Sequence, residues 1–347
     1  NTVQNGCGAS SKGSTTADPT GVNKKSFYPF SSGEVCYLLN GSVNGGSPWG
    51  QNIAWQIGGI PDKAPMLKTS SLVYKITGTT ISLYSNSADY EISSEITEKL
   101  ANFEGVGSQE NPFLIPDLQH LEDFRDIVKA GYRRACGKLT ADIVINESVL
   151  DENGELRSDY RSAQLKSWIP IDEYQGCFDG DNHTIKGMFC MDVEGSKGLF
   201  DEIQSAEIKN LIVSDGYIKT SVGAAGFCVK ATSSRFSNCH NTCVIFTDGD
   251  IPTTGGICGQ LVKSTIEKCS NSGNVINTKT GALFVGGLVG LAEGGCVIRD
   301  SYNTGEVAGG WGYGGICGMS QVGGKNLIER CYNTGLVRSA GNSSSDK

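Results

Sequence analysis

The chain is poor in proline, in histidine and in charge. Nine prolines and a charged fraction of 19 % in 347 residues are both low for a globular chain. The three histidines, His120, His183 and His240, offer little material for a histidine-based centre. No His-Glu-x-x-His motif occurs, which excludes a zincin peptidase body within these residues. Base is not in excess either: 29 Lys and Arg against 37 Asp and Glu give a net charge of −8. That balance argues against a nucleic-acid partner, which needs a basic face. No apolar run approaches the ~18 residues of a membrane-spanning helix. The sequence opens on Asn1 without a signal-peptide core, so a processed form or a fragment is expected.

Glycine and cysteine are abundant instead. The 47 glycines are about twice the usual ~7 % share, yet no glycine-every-third pattern exists, so collagen is excluded. Apolar residues recur along the whole chain, which excludes general disorder. Thirteen cysteines are an odd number, so at least one thiol has no partner within the chain.

The glycines fall in a repeat. Gly226-Phe227-Cys228, Gly256-Ile257-Cys258-Gly259, Gly287-Leu288-Val289-Gly290 and Gly315-Ile316-Cys317-Gly318 are copies of one element, with Gly198-Leu199-Phe200 as a weaker earlier copy. A second element follows each: Phe236 to Thr242, Ile266 to Gly273, Ile298 to Gly305 and Ile328 to Gly335. Both columns share a period of 28 to 32 residues. Each unit holds short apolar runs divided by glycine or asparagine turns, with no helical period. The pattern predicts an all-β fold, a parallel β-helix with three strands per coil and coils ~4.8 Å apart. Phe236, Ile266, Ile298 and Ile328 then form one apolar column, and Ile245, Val275, Val307 and Val337 another. Asn241, Asn271, Asn303 and Asn333 form an amide ladder. The glycine two residues beyond is expected to supply a left-handed corner. An exposed first coil would recruit foreign strands, and residues 117–129, apolar on one face through Leu118, Leu121, Phe124, Ile127 and Val128, are read as the helix capping it.

These repeats resemble the GLUG motif of bacterial surface and secreted proteins. The resemblance covers residues 198–340 well and extends to Gly105 through Ile115, Leu139 to Ile145 and Phe178 to Ile185. It implies a right-handed parallel β-helix and a place in adhesin-like proteins, or beside metallopeptidases of the IgA1-protease type. The family has no shared catalytic residues, so none carries over. The expected organisation is a cap-like segment over 1–68, a linker over 69–103, the β-helix over 104–341 and a polar tail over 342–347. Within 1–68, Ser31 and Glu34 read as the capping box of a short helix ending at Gly41. With Ser47 to Ile53 and Pro65 to Leu67, that stretch is similar to the segment that closes such solenoids at their carboxyl end. Here it stands at the front. Three readings compete: a piece of a protein with solenoids in series, a chain capping its own last coil, and a subunit whose residues 1–68 cap the next subunit head-to-tail.

Candidate chemistry is sparse. Cys239-His240-Asn241-Thr242-Cys243 has ligands that suit zinc but no partner Cys-x-x-Cys. Asp179 with Asp181 and Asp248 with Asp250 flank glycines on turns, where calcium and ordinary turn formation both need carboxylates. The acids Glu267, Asp300, Glu306 and Glu329 are scattered among basic residues rather than paired for glycosidase work. The cysteines fall in columns, which favours buried thiols as interior filler over bridges between stacked coils. Trp311 and Tyr313 sit in a glycine-rich loop, as a stacking platform for sugar or as cover for the last coils. The sequence therefore reads as an extracellular, non-enzymatic, structural or adhesive module at the cell surface, without cofactor unless calcium binds. Its partner is a host or cell-surface protein, a glycan, or another copy joined head-to-tail. A carbohydrate-binding or carbohydrate-acting β-helix is the remaining alternative.

Overall fold

In a computed structural model, the described residues are 94–340, except 192–194, 250–251, 280–283 and 322–323, together with short strands between 49 and 83. The chain forms two compact units, residues 1–102 with 130–135, and residues 103–129 with 136–347.

The first unit contains antiparallel pairs: Trp49–Gln51 with Pro65–Leu67, Gln56–Ile57 with Ile60–Pro61, and Tyr74–Thr77 with Thr80–Leu83. Helix α1 covers Ser94–Asn102. Residues 69–103, expected to be a plain linker, therefore hold a hairpin and a helix. The hairpin's register sets Tyr74 opposite Leu83 and Thr77 opposite Thr80. The proposed helix over 31–40, most of the 1–68 segment and the 342–347 tail lie outside the described residues.

The second unit is a parallel β-solenoid. Its longest sheet runs in the order β1 (Phe113–Ile115), β2 (Gly137–Leu139), β3 (Cys177–Asp179), β4 (Glu207–Ser214), β5 (Arg235–Asn241), β6 (Thr265–Glu267), β7 (Val297–Arg299) and β8 (Leu327–Glu329). Every pair is parallel and in register. Helix α2 (Leu118–Lys129) covers the first coil. Asp117 is its N-cap, accepting the His120 backbone N–H at 2.9 Å. Leu121, Phe124, Ile127 and Val128 are fully buried. The Phe124 ring meets Phe178 at 5.7 Å and Tyr174 at 5.9 Å, which ties the cap to the interior of the coils.

Four sheets line the solenoid, not the three expected from the sequence. The extra one consists of two-residue strands, among them Ala224–Ala225, Thr254–Gly255 and Val285–Gly286, immediately before the repeated glycine. That glycine explains the extra fold in each coil. A Cβ on Gly256 would lie 2.4 Å from Asn271 Cγ, and one on Gly287 would lie 2.5 Å from Asn303 Cγ. The glycine column thus presses directly against the asparagine column across a thin interior. Gly273, Gly305 and Gly335 do not supply left-handed corners as expected. They are needed because a Cβ would sit 1.9 to 2.1 Å from a carbonyl oxygen of the preceding coil. The left-handed corner belongs to non-glycine residues: Asn210, Asn238, Lys268, Asp300 and Arg330, with φ between 50° and 53°.

Candidate functional site

Two features of the solenoid have the organisation expected of a site: its internal ladders and the residues those ladders project outward. Inside, Asn241 donates to the Asn271 side-chain oxygen at 2.7 Å, Asn271 to Asn303 at 2.7 Å, and Asn303 to Asn333 at 2.7 Å. Each amide also donates to the carbonyl two residues on, at Cys243, Gly273, Gly305 and Gly335. Asn271 and Asn303 are wholly buried and fully engaged. These side chains are spent on holding coils together.

Strand alternation separates the thiols from the imidazole. Cys239 points inward and is fully buried, while the next residue, His240, faces the outer surface and bonds Ser270 Oγ at 2.8 Å and Asn238 Oδ1 at 3.1 Å. A zinc centre using both is therefore not assembled. Burial holds the His240 imidazole below its usual range. His183 lies 3.3 Å from Asp142, and His120 2.7 Å from Asp117 in the cap.

All eleven described cysteines are free thiols. Cys228 stacks on Cys258, and their S–H groups donate to the Lys230 and Gln260 carbonyls at 3.1 and 3.2 Å. Desolvation raises the thiols of Cys228 and Cys239 well above their normal range. A surface cleft of about 190 Å³ is lined by Cys136, Cys177, Lys138, Asp179 and Lys209 among others. Burial pushes the Cys177 thiol up to about 12, so at neutral pH it is protonated and a poor nucleophile.

The turn carboxylates are occupied by neighbours. Asp179 accepts from Asn210 Nδ2 at 3.0 Å and from the Asp181 backbone at 2.9 Å, and lies 3.5 Å from Lys209. Asp181 pairs with Lys138 at 3.0 Å, and Asp248 lies 3.6 Å from Lys219. Asp250 is outside the described residues. Among the described residues no three His, Cys, Asp or Glu side chains converge as metal ligands would. Asp201, half-buried near Asp172 and Glu202, has its carboxyl raised to about 6 by desolvation first and by those acids second.

Trp311 is 81 % exposed, so it does not cover the last coils; Tyr313 is half-buried on its own short strand. The organisation that sequence reasoning missed lies in the outward charges of the long sheet. Lys138, Asp179 and Lys209 stack in one column, followed by Ser237, Glu267, Arg299 and Glu329. Every adjacent charged pair in it is of opposite sign. Glu267 is clamped by Arg235 and by Arg299 at 2.5 Å, and these hydrogen bonds, Arg299 foremost, hold its carboxyl below the ordinary glutamate range. Residue types alone show the pattern once the repeats are aligned: Glu267-Lys268, Arg299-Asp300, Glu329-Arg330.

The second unit is thus a parallel β-solenoid built on asparagine, glycine and thiol columns. Residues 281–308 match the model of the GLUG motif, so the chain carries that repeat. It is 38 % identical over 192 residues to a protein of Evansella cellulosilytica provisionally named a Gly-rich membrane protein; the match covers 54 % of this chain. The chain spans about a fifth of that relative's length, 20 %. A crystal structure from Bacteroides ovatus, provisionally named an immunoglobulin A1 protease, superposes with a TM-score of 0.53 at 19 % identity, over 70 % of this chain and 82 % of that one. At that identity the likeness concerns the fold alone. No helix among the described residues is long and apolar enough to cross a membrane.

Proposed function

We propose that this chain is a non-enzymatic structural and adhesive module of a bacterial cell-surface protein, displayed outside the cell. The observation that carries this reading is the axial bonding. Amide, thiol and ion-pair ladders run from coil to coil, so the polar side chains that an enzyme would aim at a substrate are here aimed at their own copies. A rod held in this way presents long faces and corner loops to a partner surface. The GLUG motif and the relative named a membrane protein support the surface assignment. The test is binding of the purified chain to bacterial or host cell surfaces and to glycan panels, alongside hydrolysis assays on immunoglobulin and polysaccharide. Turnover of either substrate class would sink the non-enzymatic reading.

A second reading, sugar binding at Trp311 and Tyr313, is favoured by the bare indole of Trp311. Saccharide-dependent quenching that disappears in Trp311→Ala would support it, and unchanged fluorescence across a glycan panel would remove it. Head-to-tail assembly through residues 1–68 rests on their resemblance to the segment that closes such solenoids; light scattering that returns only monomer across the accessible concentration range removes it.

A further inference from the structure

Two of the described cysteines face away from the interior. Gly137 and Phe178 pair across β2 and β3 and point inward: a Cβ on Gly137 would meet the Phe124 ring at 3.0 Å, and Phe178 is fully buried. The residues just before them, Cys136 and Cys177, therefore stand opposite each other on consecutive coils and point outward. Their column continues on the outside through Glu207 and Arg235. Both thiols line the cleft of about 190 Å³, beside Lys138, Asp179 and Lys209 of the neighbouring outward column. Cys177 is half-buried, and its Sγ lies 3.7 Å from Glu207 Oε2. Filling a narrow interior accounts for Cys228, Cys239, Cys258 and Cys269, which are wholly buried. It gives no reason for two thiols stacked on the outside.

We propose that Cys136 and Cys177 are an oxidisable pair, which a low-molecular-weight disulfide converts to a cross-link that clamps the capped end of the solenoid. Neighbouring parallel strands lie about 4.8 Å apart, inside the range of about 4.4–6.8 Å between Cα atoms that a disulfide spans. Cys136 immediately precedes β2 and Cys177 opens β3, so both stand at strand ends, where the ladder restrains the backbone on one side only. The reaction is thiol–disulfide exchange. The Cys177 thiolate attacks one sulfur of the reagent, and the other half leaves as a thiolate and takes up the proton. The Cys136 thiolate then attacks Cys177 Sγ of the mixed disulfide and expels the second half. Two protein thiols are oxidised and one reagent disulfide is reduced to two thiols. Burial raises both protein thiols, so exchange is slow at neutral pH and quickens about tenfold per pH unit. Cys136 donates its backbone N–H to the Gly107 carbonyl at 2.8 Å and accepts from the Phe113 N–H at 2.8 Å. A bond to Cys177 therefore ties β1 and the segment before it to the coil of β3. It also closes residues 137–176 into a loop, which restricts the unfolded chain. The clamp is independent of what the outer faces bind.

The test uses the full chain, first reduced and then transferred into oxidised glutathione at about pH 8.5. Samples are quenched with acid, alkylated, digested with trypsin and mapped by mass spectrometry. The expected product joins residues 135–138 to residues 167–186 and exceeds every other cysteine linkage by about tenfold or more. Cys228, Cys239, Cys258 and Cys269 should stay reduced. In Cys136→Ser, Cys177 should keep one glutathione, because no second thiol is left to displace it. In Cys177→Ser the cross-link should be absent. Amide exchange compared between the oxidised chain and the same chain treated with dithiothreitol requires no variant, and should show added protection over residues 106–115 and 137–139 after oxidation. Three results in the wild-type chain overturn the proposal: glutathione that persists on Cys177; Cys136 or Cys177 joined to Cys7, Cys36 or an interior cysteine; or both thiols still reduced when the urea-denatured chain has oxidised. A cross-link that leaves exchange around Cys136 unchanged overturns the clamp.

Discussion

Replacing one rung of the asparagine ladder should do far more damage inside the solenoid than at its end. Asn271 is wholly buried and makes three side-chain hydrogen bonds, from Asn241 and to Asn303 and Gly273, each at 2.7 Å. Asn271→Ala strands three groups at once: an Asn241 N–H, the Asn303 side-chain oxygen and the Gly273 carbonyl. Each buried orphan costs about 1–3 kcal/mol, so three together cost about 3–9 kcal/mol. Asn333 makes the equivalent bonds on a half-exposed coil, where water replaces them. Asn333→Ala should therefore cost about 1 kcal/mol or less. Gly256→Ala attacks the same contact from the other side, because its Cβ would lie 2.2 Å from the Gly287 carbonyl oxygen. Coils interact chiefly with their neighbours, so unfolding need not be all-or-none. The assay is accordingly local: amide hydrogen exchange by mass spectrometry together with thermal melting. In Asn271→Ala, residues 297–339 should lose protection while residues 137–213 keep it. Comparable effects of Asn271→Ala and Asn333→Ala, or a change below about 0.5 kcal/mol in the first, would refute the view that the ladder holds the coils together.

Two further outcomes follow from the ionisable groups. The Glu267 carboxyl is held below its ordinary value of 4.5 by Arg299 and Arg235. A depressed carboxylate contributes stability that is complete above the unfolded pKa and is lost as pH falls through the folded one. Acid melting below pH 4.5 should therefore flatten in Glu267→Gln; an unchanged acid limb shows that the clamp adds nothing. Burial raises the Cys177 thiol to about 12 and the Cys317 thiol to about 11. Their alkylation rates should climb about tenfold per pH unit from 7 to 10 without a plateau, and Cys228, Cys239, Cys258 and Cys269 should react only in denaturant. A plateau near pH 8 at Cys177 or Cys317 contradicts the buried, protonated state.

The parallel solenoid is legible in the sequence because stacking turns sequence period into spatial columns, and the glycine and asparagine columns share one period. What the period alone does not reveal is how two columns face each other. That Gly256 is flush against Asn271 depends on a cross-section only one coil thick, which no local pattern encodes. The corners were harder still. Glycine after the asparagine suggests a left-handed turn, but the structure spends that glycine on close approach to the previous coil and places the left-handed residue at Lys268, Asp300 and Arg330. The site was least legible, since single residues such as Asp179, His240 or Trp311 invite chemistry when read alone. Their meaning changes when each is read along its column: Asp179 lies between Lys138 and Lys209, and His240 is followed by Ser270, Tyr302 and Tyr332. In a solenoid the informative neighbour of a residue lies about thirty positions away. The charge alternation shows this most clearly, because Glu267, Arg299 and Glu329 are unremarkable within their own coils and complementary only across them.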